Sequence, residues 1–268
     1  MDTSSVLFAF GLTLLAGLAT GIGSLLAFFT RSTNTRFLSA ALGLSAGVML
    51  YVSFMEILPL AQDSLVLVLG KTGGSWAALG AFFAGILVIA LIDRLVPAGD
   101  NPHVIKKVEE LHQKTPQSRQ MMRVGIFSAL AIAIHNFPEG LAAFVSAVRQ
   151  PALGVAIAIA IAIHNIPEGI AVSVPVYFAT GDRKKAFFLS FLSGLAEPLG
   201  AVFGYLFLLH TVNDVIFGTL FAMVAGIMVF ISLDELLPTA REYGEEHVAI
   251  YGTVAGMIIM GVSLLLLG

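Results

Sequence analysis

Ala46-Gly47-Val48-Met49-Leu50-Tyr51-Val52-Ser53-Phe54-Met55-Glu56-Ile57-Leu58-Pro59-Leu60-Ala61 returns late in the chain as Ala225-Gly226-Ile227-Met228-Val229-Phe230-Ile231-Ser232-Leu233-Asp234-Glu235-Leu236-Leu237-Pro238-Thr239-Ala240. Eight of the sixteen positions are identical, and Met, Ser, Glu and Pro stay in register. Each copy closes a long apolar run. A helix that crosses a bilayer needs about 20 predominantly apolar residues. Working outward from the repeat, eight runs qualify, at roughly 6–29, 37–60, 75–95, 122–148, 153–178, 186–209, 214–238 and 247–267. Most connections between them are short. Segment 96–121 is longer and polar, with Pro97, Pro102, Pro116, Lys106, Lys107, Glu109 and Glu110, and reads as a solvated loop.

Composition points the same way. Hydrophobic residues make up 57% of the 268 and charged residues 12%, against about 25% charged in soluble domains. The expectation is an all-α integral membrane protein, with 1–268 forming one transmembrane domain in the lipid bilayer. A net charge of −3 offers no basic field for nucleic acid. There is no cysteine, which removes disulfides and thiolate metal sites. Met1-Asp2-Thr3 lacks the basic region of a signal peptide, so the first apolar run is expected to stay as a span.

Basic residues set the orientation. Arg31, Arg36, Arg94, Lys106, Lys107, Lys114, Arg119, Arg123, Arg183, Lys184, Lys185 and Arg241 all fall in or beside the odd-numbered connections. Lys71 and Arg149 alone fall in the even ones. The positive-inside rule then puts the odd connections in the cytoplasm and both termini outside. Under that topology span 2 runs outward and span 7 inward. Spans 1–3 and 6–8 become an inverted repeat flanking spans 4 and 5, a 3+2+3 arrangement used by transporters.

A second repeat carries the chemistry. Ala131-Ile132-Ala133-Ile134-His135-Asn136-Phe137-Pro138-Glu139-Gly140 recurs as Ala160-Ile161-Ala162-Ile163-His164-Asn165-Ile166-Pro167-Glu168-Gly169. Each copy lies near the middle of a span. At about 100° per residue, Glu139 falls about 40° from His135 and Asn136 about 100° from it. The carboxylate therefore lies between imidazole and amide on one face, and His164, Asn165 and Glu168 repeat the pattern. Two such faces opposed would make a cage of nitrogen and oxygen suited to one metal ion or a bridged pair. Pro138 and Pro167 free the carbonyls of Ile134 and Ile163 from helical bonding, and Gly140 and Gly169 permit close helix approach at the same level.

Glu197, in Ser193-Gly194-Leu195-Ala196-Glu197-Pro198, sits midway along span 6. A charged side chain at the bilayer centre costs at least about 2.5–3.5 kcal/mol. Three glutamates there have no basic residue at similar depth, so a divalent cation or protons must offset them. A lone buried histidine often serves only as an interhelical hydrogen-bonding group; here the whole unit occurs twice at one depth. Imidazole with carboxylate and no thiolate favours Zn, Fe, Mn or Co over Cu(I), and the imidazoles argue against Mg or Ca. Glu56, Ser53 and Met49 share a face of span 2 and read as an entrance to the ion path, although an interfacial Glu56 explains the spacing equally well. Asp234 and Glu235, at the inner end of span 7, read as a solvated end or an ion exit.

The paired H-N-x-P-E-G motifs, Gly194-Leu195-Ala196-Glu197-Pro198 and Ser53-Phe54-Met55-Glu56-Ile57-Leu58-Pro59 together resemble the ZIP family of metal transporters. The resemblance implies eight helices in a 3+2+3 inverted repeat with both termini outside, in the cell membrane. It implies uptake of Zn(II), with Fe(II), Mn(II), Co(II) or Cd(II) as further cargo, and no catalytic cofactor. It also implies a binuclear centre. His135, Glu139, His164 and Glu168 would hold one metal, and Asn136, Asn165 and Glu197 the second, with Glu139 and Glu168 bridging. In relatives a residue of span 2 reaches the first metal, and Met49 is the candidate here. Many members carry a histidine-rich loop between spans 3 and 4; this chain has only His103 and His112 there, so the segment reads as a plain loop. A homodimer stays open.

Two other functions compete with a permease. An intramembrane metalloenzyme is opposed by the absence of H-E-x-x-H and of paired E-x-x-H. A metal sensor that binds without transport is separated from a permease only by a flux measurement. A potential of 100 mV, negative inside, favours entry by about 2.3 kcal/mol per charge, about 4.6 kcal/mol for a divalent ion, so uptake needs no nucleotide, and no P-loop is present.

Overall fold

The computed structural model describes residues 3–29, 35–95, 118–208, 213–243 and 246–267. Most of the 96–121 loop, with His103 and His112, lies outside them; its last residues, from Ser118, already belong to a helix. Every element among the described residues is helical: α1 (Thr3–Phe29), α2 (Thr35–Val52), α3 (Leu58–Leu95), α4 (Ser118–Arg149), α5 (Pro151–Thr180), α6 (Arg183–Gly194), α7 (Ala196–Phe203), α8 (Asp214–Ile231), α9 (Leu237–Tyr243) and α10 (Glu246–Leu267). Among the described residues, six stretches are long and apolar enough to cross a membrane: Thr3–Leu25, Ser39–Arg94, Pro151–Ile170, Arg183–Phe207, Asp214–Glu242 and His247–Leu266. This is a multi-pass membrane protein.

The Ser39–Arg94 stretch has 56 residues. A straight helix of that length would span about 84 Å, far beyond a hydrocarbon core of about 30 Å. It folds back on itself at Gly70, where φ is 74° and ψ 166°, a conformation that only glycine adopts without strain. Gln62 Nε2 donates to Ser75 Oγ at 3.1 Å across the bend; thirteen residues of straight helix would hold them about 20 Å apart. Spans 2 and 3 are thus one helical run with a reversal, where the sequence suggests a gap from 61 to 74.

Prolines account for other departures from regular helix. The turns Ser53–Ile57 and Ser232–Leu236 are π-helical, at matching positions of the first repeat. Leu58 N–H donates to the Ser53 carbonyl and Leu237 N–H to the Ser232 carbonyl, each five residues back. Pro59 and Pro238 follow directly; a proline has no N–H and its ring crowds the carbonyl four residues before, so each bonding step widens. Span 6, expected as one helix over 186–209, is two helices and a π-helical turn, Gly204–Leu208. It breaks at Leu195, because Pro198 cannot donate to the Gly194 carbonyl. By contrast α4 and α5 run unbroken through Pro138 and Pro167.

Caps mark the exposed ends. Asp182 accepts from Lys184 N and Lys185 N at 2.9 and 3.2 Å, Asn213 from Ile216 N at 2.9 Å. Gly181, at φ 66°, closes α5 by donating to the Tyr177 carbonyl.

The helices pack as two groups. In one, α1 lies on α5, α5 on α4, and α4 on α7, with α6 against α1 and α5. In the other, α2 lies on α10, α3 on α8, and α9 on α2. The seam between the groups is formed chiefly by α2 on α5, with α10 on α5 and α4 on α8 in support.

Candidate metal centre

Helices α4 and α5 are antiparallel neighbours joined by a single residue. Arg149 ends one, Pro151 begins the other, and Gln150 between them is extended. Gly154 lies against the backbone of Ala147, where a side chain would not fit. So short a turn sets the register, bringing the two H-N-x-P-E-G units face to face. Gly140 packs on the backbone of Glu197, and Gly169 on that of Thr20 in α1, with no room for a Cβ at either.

His135, Asn136, Glu139, His164, Asn165, Glu168 and Glu197 are all buried, at 2% exposure or less. Each histidine pairs with the glutamate of the opposite helix. The His135 Nε2–Glu168 Oε2 distance is 3.3 Å and the His164 Nε2–Glu139 Oε2 distance is 3.0 Å. Glu197, brought in by α7, accepts from Asn165 Nδ2, which also donates to the Ala16 carbonyl at 2.8 Å. Asn136 Nδ2 donates to the Ser193 carbonyl at 3.4 Å. Each amide therefore spends an N–H group on a backbone carbonyl of a neighbouring helix, and Asn165 donates to the Glu197 carboxylate as well.

The oxygens are left over. Asn136 Oδ1, Glu139 Oε1, Asn165 Oδ1, Glu168 Oε1 and Glu197 Oε2 are buried and accept no hydrogen bond. An acceptor stranded out of water costs about 1–3 kcal/mol, more when charged. Four glutamates are buried among the described residues, these three and Glu235, and no lysine or arginine is. Two imidazoles cannot neutralise four carboxylates, so a cation or protons must offset the remaining charge. Among the described residues no three His, Asp or Glu side chains converge closely enough to hold an ion without movement. Each imidazole is turned instead to the carboxylate of the opposite helix.

The span 2 candidates divide. Met49 and Ser53 are fully buried, and Ser53 Oγ has no partner. Glu56 is only part-buried, and nothing brings it to the cluster. Its counterpart in the repeat behaves differently. Glu235 is buried at 7% exposure, whereas Asp234 beside it is exposed. Glu235 lies within electrostatic reach of His135 and Glu168. From the sequence it reads as a solvated end or an ion exit. The signal that could have found it was its repeat position, beside a proline-induced turn that rotates one acidic residue inward.

The model of a family described as ZIP zinc transporter matches residues 97–264. A zinc transporter ZupT of Lysinibacillus sphaericus is 62% identical over 265 residues, covering 98% of both chains. One from Oceanobacillus iheyensis is 62% identical over 98% of this chain and 99% of its own, and one from Clostridium perfringens is 58% identical over 99% and 98%.

Proposed function

The chain belongs to the ZIP zinc transporter family, whose members are transporters and not enzymes, and from that premise we propose that it is a permease carrying Zn(II) into the cytoplasm through the cluster on α4, α5 and α7. The observation that carries this reading is the set of five buried, unpaired oxygens around two His–Glu pairs. A divalent ion would replace the protons shared in those pairs and give every stranded oxygen a partner. His135, Glu139, His164 and Glu168 would bind one ion, and Asn136, Asn165 and Glu197 a second bridged through Glu139 and Glu168, with Met49 approaching the first. Fe(II), Mn(II), Co(II) and Cd(II) fit the same imidazole and carboxylate donors.

The reading extends to topology. The reversal at Gly70 makes two crossings of the Ser39–Arg94 stretch, and α4 adds another. That gives eight spans over a single domain, 1–268, in a 3+2+3 inverted repeat with both termini outside. The matching π-helical turns of the two arms support the repeat. For transport, the group that holds the cluster would shift along the seam against the other, taking α1, α6 and α7 with α4 and α5.

Proteoliposomes loaded with a zinc-sensitive dye test this. Wild-type protein should raise the internal signal when zinc is added outside under a negative-inside potential. Glu139→Ala, inserted at equal density, should abolish it, and zinc binding should release protons. Binding without flux in the wild type would turn the assignment to a sensor.

A further inference from the structure

Helix α2 has two buried faces of different character. Gly43 and Gly47 lie on the backbone of Ala249 and Thr253 of α10. At about 100° per residue, with Gly43 at zero, Gly47 stands at about 40°, Ser45 at about 200°, Met49 at about 240° and Ser53 at about 280°. Ser45 and Met49 thus point away from α10, and Ser53 lies to one side. All three are fully buried. The remaining neighbours of α2 are chiefly α5, the helix of His164, Asn165 and Glu168, and the second arm at its π-helical turn and α9. Glu235 in that turn reaches His135 electrostatically, so what covers this face of α2 also borders the cluster.

Several buried hydroxyls fold back on their own helix, although those of Thr20, Ser39 and Ser146 stay unpaired. Thr13 donates to the Ala9 carbonyl, Ser24 to Thr20, Ser232 to Met228 and Thr253 to Ala249. Ser45 and Ser53 do not, and their Oγ atoms are unpaired. The repeat sharpens this: Ser232 is the counterpart of Ser53 and is bonded at 2.7 Å, while the counterpart of Ser45 is Val224, which has no hydroxyl. A buried hydroxyl held without a partner is costly, and the cost is offset if a ligand passes it.

We propose that Ser45 is a further residue of the ion path, its hydroxyl oxygen receiving the divalent cation or a water of its shell one helical turn beyond Met49. Four residues of helix place Ser45 about 6 Å from Met49 towards the start of α2, the cytoplasmic end in the proposed topology, with Ser53 about 6 Å the other way. The three side chains make evenly spaced steps of weak ligands. A neutral hydroxyl suits such a step because it can hold an ion and let it go. This inference rests on the permease reading and adds the inward side of the route.

The cysteine-free chain makes the test direct. Ser45→Cys, isosteric and the sole thiol, should react with a small cationic thiol reagent, and saturating zinc should abolish the reaction. Ser39→Cys serves as control: Ser39 is also buried and unpaired, but at about −40° it sits on the glycine face and should stay unreactive. Ser45→Val should lower zinc uptake about tenfold at equal protein density, and Ser45→Thr should restore most of it. A Ser45→Cys protein that transports zinc yet never labels, or labels equally with and without zinc, would overturn the proposal. So would a Ser45→Val protein as active as wild type. Wild-type vesicles that move no zinc would instead sink the permease reading, and that arm is scored separately.

Discussion

Inside each helix group, backbones touch; across the seam between the groups, side chains meet and leave space. Gly23 lies on Ile166, Gly169 on Thr20 and Gly140 on Glu197 within the first group. Gly47 lies on Thr253, Gly85 on Met223 and Gly226 on Phe82 within the second. Not one of the described glycines has its nearest neighbours in the other group. Where α4 meets α8 there is instead an apolar cavity, lined by Leu141, Val145, Phe217, Phe221 and Val224 among others. Arg149 is bound to Asp214 at 3.2 Å and stacked at 3.9 Å on Phe217, one of the lining residues. Backbone seated on backbone has no slack, because nothing short of main-chain movement relieves a misfit. Flexible side chains around a void can change rotamer and re-pack. The contrast separates contacts that have no slack from contacts that can re-pack.

Enlarging a glycine inside a group should do the most damage. Gly140→Leu would drive a branched side chain into the Glu197 backbone, beyond the about 1–3 kcal/mol of ordinary overpacking. Little folded protein should reach the membrane, and both abundance and detergent melting temperature report it. Full expression and unchanged melting would mean that the group is not rigid there. Tying the seam should spare folding and stop movement. Val145→Cys with Val224→Cys, joined by a short bifunctional thiol reagent, should halt zinc uptake, whereas Phe54→Cys with Phe82→Cys inside the second group (ring centroids 6.0 Å apart in the native protein) should not. Uptake that survives the first cross-link would remove the sliding seam. Smallest is the effect at Arg149. Arg149→Ala loses a half-exposed ion pair worth up to about 1 kcal/mol and a cation–π contact worth about 0.5–1 kcal/mol. Uptake should change by less than about tenfold, with a weaker dependence on salt than in wild type.

Much of the site was legible because membrane burial makes polar residues conspicuous. His135, Asn136, Glu139 and their copies stand out in apolar runs, and all are buried together. Their pairing was not legible. Helical angles put His135 beside Glu139 of its own helix, yet it bonds Glu168, because the one-residue turn at Gln150 and the close approach at Gly154 decide which side chains face each other. Glu56 and Glu235 show the same limit. The glutamate and the proline after it stay in register and each arm makes the same π-helical turn, but only Glu235 is carried to within electrostatic reach of the cluster.

Hydrophobic length, proline and glycine placement and the two repeats were determined by sequence alone, since each acts within a few residues of backbone and needs no knowledge of neighbours. Helix partnership was decided only in the tertiary structure: that α1, α6 and α7 pack with α4 and α5, and that Gly70 turns spans 2 and 3 into one folded run. Those outcomes depend on which surfaces pack without voids, a property of pairs of helices that no single stretch of chain contains.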